Sequence, residues 1–262
     1  GAARRCHARP MIALDLDGAL AIATLSRAPV NAIDEQWLAR LDQVLDHLEK
    51  ETGLAVLLLR STERAFCAGA DLALMKSRFD SAEGRTRFVG FVREIQRVFA
   101  RLERLPQVTL AEIGGPALGG GLELALCCDL RLASDEARVG LPETRLGLLP
   151  GAGGTQRLTR IAGEAAAKRL ILGAEVLTGA QAAALGIVHW SASASALPTR
   201  ARALATDIAS LPPAALAAAK RCISAALTPG TGGFEMELDA TSTLLASPET
   251  QSRVRAFLDK RR

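Results

Sequence analysis

Residues 111–155 read AEIGGPALGGGLELALCCDLRLASDEARVGLPETRLGLLPGAGGT, and this stretch decides the fold. Three consecutive glycines, Gly119, Gly120 and Gly121, run directly into a helix-forming segment, 122–128, that contains neither Pro nor Gly. Glycine is entropically unfavourable in regular structure and is used where φ is positive or where the backbone must approach a bound group. We therefore predict a helix N-terminus here, where unpaired N–H groups and the helix dipole favour an anion or a developing oxyanion.

Two carboxylates accompany the glycines. Glu123 falls in the first turn of the predicted helix, and Glu143 follows Pro142 between apolar residues that include Val139 and Leu141. An apolar setting desolvates a carboxylate and raises its pKa, and two carboxylates with different pKa values can divide acid and base roles. The alternative is structural, a helix-terminal charge and a loop ion pair, and composition alone favours it because ion pairs also perturb carboxylates.

A resemblance to a known family rests on four motifs. They are GGPALGGGLELALCCDLRLAS at 114–134, LPETRLGLLPGAGGTQRLTR at 141–160, AFCAGADL at 65–72 and AFLDKRR at 256–262. Together they resemble the enoyl-CoA hydratase/isomerase (crotonase) family over nearly the whole chain. The resemblance implies an α/β fold, a spiral of repeated ββα turns with a C-terminal helical trimerisation segment, and it favours the functional interpretation of both glutamates.

The resemblance also implies which residues carry the chemistry. The backbone N–H groups of Ala70 and Gly120 would form an oxyanion hole for a thioester carbonyl. Glu123 and Glu143 would hold a water molecule that adds to a trans-2-enoyl-CoA, with Glu143 as the proton donor to Cα and the Gly151 N–H helping to hold the water. The expected reaction is reversible hydration to a 3-hydroxyacyl-CoA. No cofactor is expected, since coenzyme A is part of the substrate.

Further residues are expected by resemblance to contact the acyl-CoA. They are Arg27, Ala28, Val30, Ala68, Gly69, Asp71, Leu72, Leu118, Gly119, Pro142, Leu148, Gly151 and Lys260. Lys260 would lie near the CoA phosphates, and an ordinary surface charge is the alternative for it. Two positions depart from the family pattern: Ala73 replaces a frequent basic residue, and 250–252 replaces a common acidic-Gly pair. The expected assembly is a homotrimer or a dimer of trimers.

Length and composition are those of a globular protein. The chain has 262 residues, 49% of them hydrophobic and 23% charged, which is enough to bury a full core. We expect a disordered extension at 1–10, a spiral core with the active site at 11–192 and a helical segment at 193–262. The extension lacks the apolar region of a signal peptide, and the apolar runs elsewhere are too short and interrupted to span a membrane.

Several other function classes lack their signatures. The net charge is only +4, aromatic residues make up 3% and Tyr is absent, which argues against nucleic-acid binding by base stacking. The five cysteines fit no metal or disulfide spacing, which indicates buried free thiols in a reducing cytosol. No H-E-x-x-H, G-x-S-x-G or P-loop motif is present. The preference for Ala and Arg over Lys favours a bacterial source, and we expect a cytoplasmic protein.

Hydrophobic periodicity and turn signals predict the order of elements. A hairpin is predicted from strands 11–17 and 20–25, joined at Asp17-Gly18, and a helix capped by Asp34 follows. The other predicted strands are 54–59, 108–113, 130–133 and 187–190. The other predicted helices are 88–105, 122–128, 153–161, 164–172, 178–185, 198–210, 213–227, 234–245 and 252–260.

Other activities on the same scaffold stay open at this point. Isomerases of this superfamily commonly keep only the second acid, and dehalogenases or decarboxylases change both, so the pair Glu123 and Glu143 favours a hydratase or dehydratase, although a few hydratases also isomerise. One family member binds AU-rich RNA, which would require a lysine-rich helix. The helix at 88–105 carries arginines instead, for which solvated charge is the better account. Intact catalytic residues argue against a non-catalytic scaffold. The acyl chain and the pathway are not predicted.

Overall fold

The computed structural model describes residues 10–228 and 230–259. The disordered extension predicted for 1–10 therefore lies, apart from Pro10, outside the described residues, and so does Lys260.

Nine strands and ten α-helices make up the described chain. The strands are β1 (Ile12–Asp17), β2 (Leu20–Leu25), β3 (Val56–Ser61), β4 (Val108–Ile113), β5 (Ala117–Leu118), β6 (Leu130–Ser134), β7 (Arg138–Gly140), β8 (Val176–Thr178) and β9 (Trp190–Ala192). The helices are α1 (Glu35–Leu48), α2 (Leu72–Lys76), α3 (Ala82–Arg104), α4 (Gly120–Leu126), α5 (Gly154–Ile171), α6 (Gly179–Ala184), α7 (Leu197–Ala209), α8 (Pro213–Ala225), α9 (Gly233–Leu245) and α10 (Pro248–Asp259), with a 3-10 helix at Pro142–Leu146.

The strands form two sheets that the chain visits in turn. The large sheet has the order β1-β2-β3-β4-β6-β9; β1 and β2 are antiparallel and all other neighbours are parallel. The small sheet has the order β5-β7-β8 and is extended by isolated parallel bridges between Cys67 and Ala117 and between Ile33 and Ala70. Thus β4 belongs to the large sheet, the next strand, β5, belongs to the small sheet, and α4 follows. The next two strands repeat this alternation, with β6 in the large sheet and β7 in the small sheet. Each turn of the spiral returns a loop to the same edge, beside the small sheet.

Side chains of the large sheet are buried on both faces, which parallel strands covered by helices require. One face packs Leu57, Leu59 and Ile113 against α1 and α3. The other face packs Leu58 and Leu110 against α7. Helix α7, the first helix of the predicted segment 193–262, is therefore part of the core.

Most of the predicted elements are confirmed. The hairpin pairs β1 with β2, with Asp17 opposite Leu20 and the turn at Gly18-Ala19, one residue beyond the predicted Asp17-Gly18. Asp34 caps α1 by accepting a hydrogen bond from Trp37 N. Helix α5 is interrupted at Gly163, which has φ 81° and ψ 166°, and so corresponds to the two helices predicted at 153–161 and 164–172. Cys67, Cys127 and Cys128 are buried free thiols as expected. Burial raises the pKa of Cys67 to about 12.

Three predicted boundaries are wrong, including that of α10, which begins at Pro248 rather than at residue 252, and three short strands and two short helices were not predicted. The strand predicted at 187–190 begins only at Trp190, because the N–H of Ile187 bonds to Ala182 O in α6 while the side chain fills the core. Helix α3 begins at Ala82 rather than at residue 88, with Ser81 as its N-cap. The additional elements are β5, β7, β8, α2 and the 3-10 helix.

The last three helices carry large apolar side chains on their exposed surfaces. Examples are Ile223 on α8, Phe234 and Leu238 on α9 and Val254 on α10; Phe234 is 85% exposed.

Among the described residues, no helix combines the length and apolarity needed to cross a membrane.

Candidate active site

Two backbone N–H groups meet where the spiral turns return to one edge. The loop Ala68–Ala70 lies against the first turn of α4: a Cβ added to Gly69 would be 3.0 Å from Gly120 N, and one added to Gly120 would be 3.5 Å from Ala70 N. Gly120 is the first residue of α4, so its N–H has no partner within the helix. Within the described chain, neither Ala70 N nor Gly120 N donates to a protein acceptor. Two unpaired donors therefore share one small region.

The glycine that precedes this helix has a backbone that other residues rarely adopt. Gly119, the N-cap of α4, has φ 53° and ψ −126°, and its N–H donates to Gly140 O at 2.9 Å in the small sheet. A Cβ at Gly119 would lie 2.9 Å from Glu143 Oε1. The absence of a side chain at Gly119 thus lets the Glu143 carboxyl approach the start of α4.

Glu123 is in the first turn of α4 and is only 2% exposed. Its Oε1 accepts a hydrogen bond from Gly154 N, the first residue of α5, at 2.7 Å. Burial raises the pKa of Glu123 to about 7; the Gly154 hydrogen bond lowers the pKa and the neighbouring Glu143 charge raises it. The carboxyl is therefore close to half protonated near neutral pH.

Glu143 lies in the 3-10 helix between the two sheets and helix α5, and it is half-buried. Burial is the main cause that raises its pKa, as the sequence predicts from its apolar neighbours. Its Oε2 is buried and accepts no hydrogen bond from the described part of the chain. A buried polar atom without a protein partner needs another one, such as a water molecule or a ligand. Glu143 and Glu123 interact electrostatically, so the two carboxyls form one site.

The loop from Pro150 to Gly154 closes this site. Gln96 Nε2 on α3 donates to Gly151 O at 2.6 Å, and a Cβ on Gly151 would be 3.2 Å from Val92 Cγ1. Helix α3 therefore fixes the peptide that follows Pro150 and leaves little room for a side chain at position 151. The contact of Val92 with this loop is not predicted from the sequence, in which α3 is recognisable only as a core helix.

The loop after β2 is tied to the loop after β3 by one buried side chain. Asn31 has φ 53° and is fully buried. Its Nδ2 donates to Ser61 Oγ at 2.8 Å and to Phe66 O at 3.0 Å, and its Oδ1 accepts from Arg27 N at 2.8 Å. In addition, Ala68 N donates to Val30 O at 3.0 Å. These bonds bring the predicted residues of the two loops together.

The side chains of that region are unequally available to a ligand. Arg27 Nη2 contacts Asp34 Oδ2 at 2.6 Å and Asp71 Oδ2 at 3.5 Å, so two carboxylates already compensate its charge. Ala28 is exposed, and Leu72 is 62% exposed. Asp71 caps α2 through bonds from Ala73 N and Leu74 N.

Leu118 and Pro142 are half-buried on either side of Gly119, whereas Leu148 is exposed on the loop after the 3-10 helix. Lys260 is the one predicted residue outside the described part. The structure joins the loop at 27–31 to the loop at 65–70, the latter to the start of α4, and Glu143 to Gly119, whereas Leu72 and Leu148 are exposed.

Sequence reasoning missed the side chains that support the site: Asn31, Gln96 and Arg157, and the N–H of Gly154. Arg157 is 8% exposed and lies in the motif PGAGGTQRL, where a charged residue at the start of an otherwise apolar helix face was the available signal.

Two arginines of α3 form ion pairs with carboxylates. Arg97 contacts Asp42 and Glu94, both at 2.8 Å, and Arg101 contacts Asp42, Asp46 and Glu49 on α1. This face therefore carries a mixed-charge network and not the basic surface that an RNA-binding helix requires.

Comparisons with known proteins agree with this architecture. Residues 15–262 match the family model for enoyl-CoA hydratase/isomerase. A short-chain-enoyl-CoA hydratase of Clostridium acetobutylicum is 35% identical over 254 residues, which are 96% of this chain and 95% of the relative. The crystal structure of an enoyl-CoA hydratase from Bacillus anthracis has a TM-score of 0.88 at 34% identity, covering 95% of this chain and 96% of that one. DspI of Pseudomonas aeruginosa has a TM-score of 0.89 at 32% identity, covering 98% and 97%.

The spiral of strand pairs and helices is thus the crotonase fold, as predicted from the sequence. The chain belongs to the enoyl-CoA hydratase/isomerase family.

Proposed function

We propose that the protein is an enoyl-CoA hydratase that adds water reversibly across the 2,3 double bond of a trans-2-enoyl-CoA to give a 3-hydroxyacyl-CoA. One observation carries the proposal: two glutamates with raised pKa values, the buried Glu123 and the half-buried Glu143, lie beside two unpaired backbone donors, Ala70 N and Gly120 N. Hydration needs both parts, because negative charge develops on the thioester oxygen while the attacking water loses a proton and C2 gains one. The hydratase name of a relative 35% identical to the chain supports the same reaction.

The two N–H groups would bind the thioester carbonyl oxygen. As the water oxygen attacks C3, electron density moves through C2 onto the thioester carbonyl oxygen, which gives an enolate-like state. Donors that are already in place stabilise this charge without reorganisation, and one lost donor of this kind typically lowers the rate by a factor on the order of 10²–10³. The dipole of α4 contributes in the same direction, since Gly120 is its first residue.

The glutamate pair would hold the water and account for its protons. One carboxylate accepts a proton from water as the C3–O bond forms, and the other carboxylic acid donates a proton to C2, so the net change is the addition of one water molecule. Because the pKa of Glu123 is about 7 and that of Glu143 is also raised, the pair can hold one shared proton near neutral pH. Glu143, whose Oε2 lacks a protein partner, is the proposed donor to C2.

The rest of the acyl-CoA would follow the loops at 27–30 and 68–72. Arg27 is held by Asp34 and Asp71, so its charge contributes less to phosphate binding than a free arginine would. No other cofactor is needed for this chemistry. We also propose a cytoplasmic homotrimer, or a dimer of trimers, in which other copies cover the exposed apolar side chains of α8–α10.

The test is loss of enoyl-thioester absorbance with crotonyl-CoA, for wild type, Glu123→Gln and Glu143→Gln. Glu136→Gln is the matched control, because Glu136 is an exposed glutamate in the turn before β7. We expect activity in the wild type and the control and loss of at least about 10²-fold in both site variants. A folded wild type that hydrates neither crotonyl-CoA nor longer enoyl-CoAs would contradict the proposal. Conversion of a 3-enoyl-CoA to the 2-enoyl form that survives Glu123→Gln and requires Glu143 would indicate an isomerase instead.

A further inference from the structure

Helix α5 carries a buried cation behind the glutamate pair. Arg157 is 8% exposed, and its Nη1 donates to Ala152 O at 3.0 Å. Ala152 belongs to the loop whose next residues are Gly153 and Gly154, and Gly154 N holds Glu123 Oε1. Arg157 thus contacts directly the loop whose Gly154 N–H binds the Glu123 carboxyl.

The loop is shaped to admit this guanidinium. Gly153 has φ 108°, and a Cβ at this position would lie 2.2 Å from Arg157 Nη1. Side-chain atoms of any other residue would therefore displace the arginine or the loop. The guanidinium lies against the main chain at the same bend that turns Gly154 N toward Glu123.

A carboxylate from another helix holds the opposite edge of the guanidinium. Arg157 Nε and Nη2 donate to Glu103 Oε2 on α3, at 3.0 and 2.8 Å. The Glu103 side chain is 40% exposed, so the pair joins the buried site to the surface. The Arg157 charge acts on Glu123 and lowers its pKa, opposing the effect of burial.

We propose that Arg157, held by Glu103, is a positioning residue that fixes the loop bound to Glu123 and sets the electrostatic environment of that carboxyl. The inference rests on the proposed function in treating Glu123 as a reacting group. The charged and titratable groups around Glu123 include Glu143 on the 3-10 helix and Cys127 on α4, as well as Arg157 and Glu103. Of these, only Arg157 brings positive charge.

The test uses two isosteric or near-isosteric changes with opposite expected signs. The titration of the Glu123 carboxyl is followed by infrared difference spectroscopy without substrate, and its band is assigned by its loss in Glu123→Gln. In Arg157→Gln the midpoint should rise by about one pH unit, because an attractive charge is removed. In Glu103→Gln it should fall by a smaller amount, because the Arg157 charge is no longer compensated. Arg169→Gln is the control, since Arg169 lies on the same helix as Arg157 and forms an exposed pair with Glu175 in the loop that follows.

A merely structural ion pair predicts a different pattern. Loosening of the loop would admit water in both variants and lower both midpoints, and this result, or no change in either, would overturn the proposal. If Arg157→Gln does not fold, Arg157→Lys replaces it: the charge stays, but one ammonium cannot serve both Ala152 and Glu103. Faster amide exchange at Gly154 is then expected, and unchanged exchange would overturn the proposal. A wild type without hydratase activity would refute the proposed function while leaving these substrate-free titrations interpretable.

Discussion

Replacing Glu123 by Gln should change how the stability of the folded protein depends on pH. The pKa of Glu123 rises from 4.5 to about 7 on folding, mainly because the carboxyl is buried. A carboxyl whose pKa is higher in the folded state keeps its proton while the unfolded chain loses one, so the free energy of unfolding decreases as pH rises from 4.5 to 7. At about 1.4 kcal/mol per tenfold change, this difference in pKa corresponds to roughly 3 kcal/mol.

The assay is urea unfolding of wild type and Glu123→Gln at fixed protein concentration, from pH 5 to pH 8. The amide cannot ionise, so the free energy of unfolding of the variant should rise by roughly 2–3 kcal/mol relative to that of the wild type between pH 5 and pH 8. The amide oxygen of Gln can still accept the bond from Gly154 N, and the extra strength of that bond to an ionised carboxylate is already contained in the folded-state pKa of Glu123. Glu136→Gln serves as the control, because an exposed carboxylate is in water in both states. A difference between wild type and Glu123→Gln that stays constant with pH, or that falls as pH rises, would refute the reasoning.

Two further predictions concern glycines. Gly121→Ala should prevent normal folding, since its Cβ would be 1.8 Å from Cys67 O, whereas Gly90→Ala on the exposed face of α3 has nothing within 4 Å and should raise stability by about 1 kcal/mol in thermal unfolding. Gly119→Ala should fold but lose about 10²-fold in kcat on crotonyl-CoA, because its Cβ would displace the Glu143 carboxyl, and an unchanged kcat would contradict that geometry.

The elements that the sequence predicts well are those decided by local chemistry. The turn between β1 and β2, the Asp34 cap and the apolar period of α1 each act over a few residues, so their signals are complete within the sequence window. The same holds for the glycine run before α4. These elements fix the frame on which Glu123 is placed.

The elements that were missed are decided by distant partners. Strands β5, β7 and β8 have two or three residues each and exist because they pair with one another, which no local period reveals. The apolar residues Ile187 and Val188 favour a strand, but their backbone bonds go to Ala182 in α6. Burial was thus predicted correctly there, and hydrogen bonding was not.

The supporting residues of the site could not be predicted for the same reason. Gln96 and Gly151 are 55 positions apart, and Arg157 and Glu103 are 54 apart. In the sequence, Gln96 and Glu103 are ordinary polar positions of an amphipathic helix, and only the approach of the loop from Pro150 to Gly154 gives them a specific partner. The resemblance to the family names the reacting groups but not the contacts that place them in this chain.

The three glycines that decide the fold show how one motif combines separate physical requirements. Gly119 needs a positive φ and leaves room for the Glu143 carboxyl, Gly120 lies against the backbone of Gly69, and Gly121 approaches Cys67 O too closely for any side chain. The first two requirements concern the site, and the third joins two turns of the spiral. Substitutions at the three positions should therefore separate: loss at Gly121 is a loss of the fold, whereas loss at Gly119 is a loss of the carboxyl geometry. Three identical residues thus have different roles: Gly121 is needed for the fold, and Gly119 and Gly120 are needed for the site. All three roles meet in the first turn of α4.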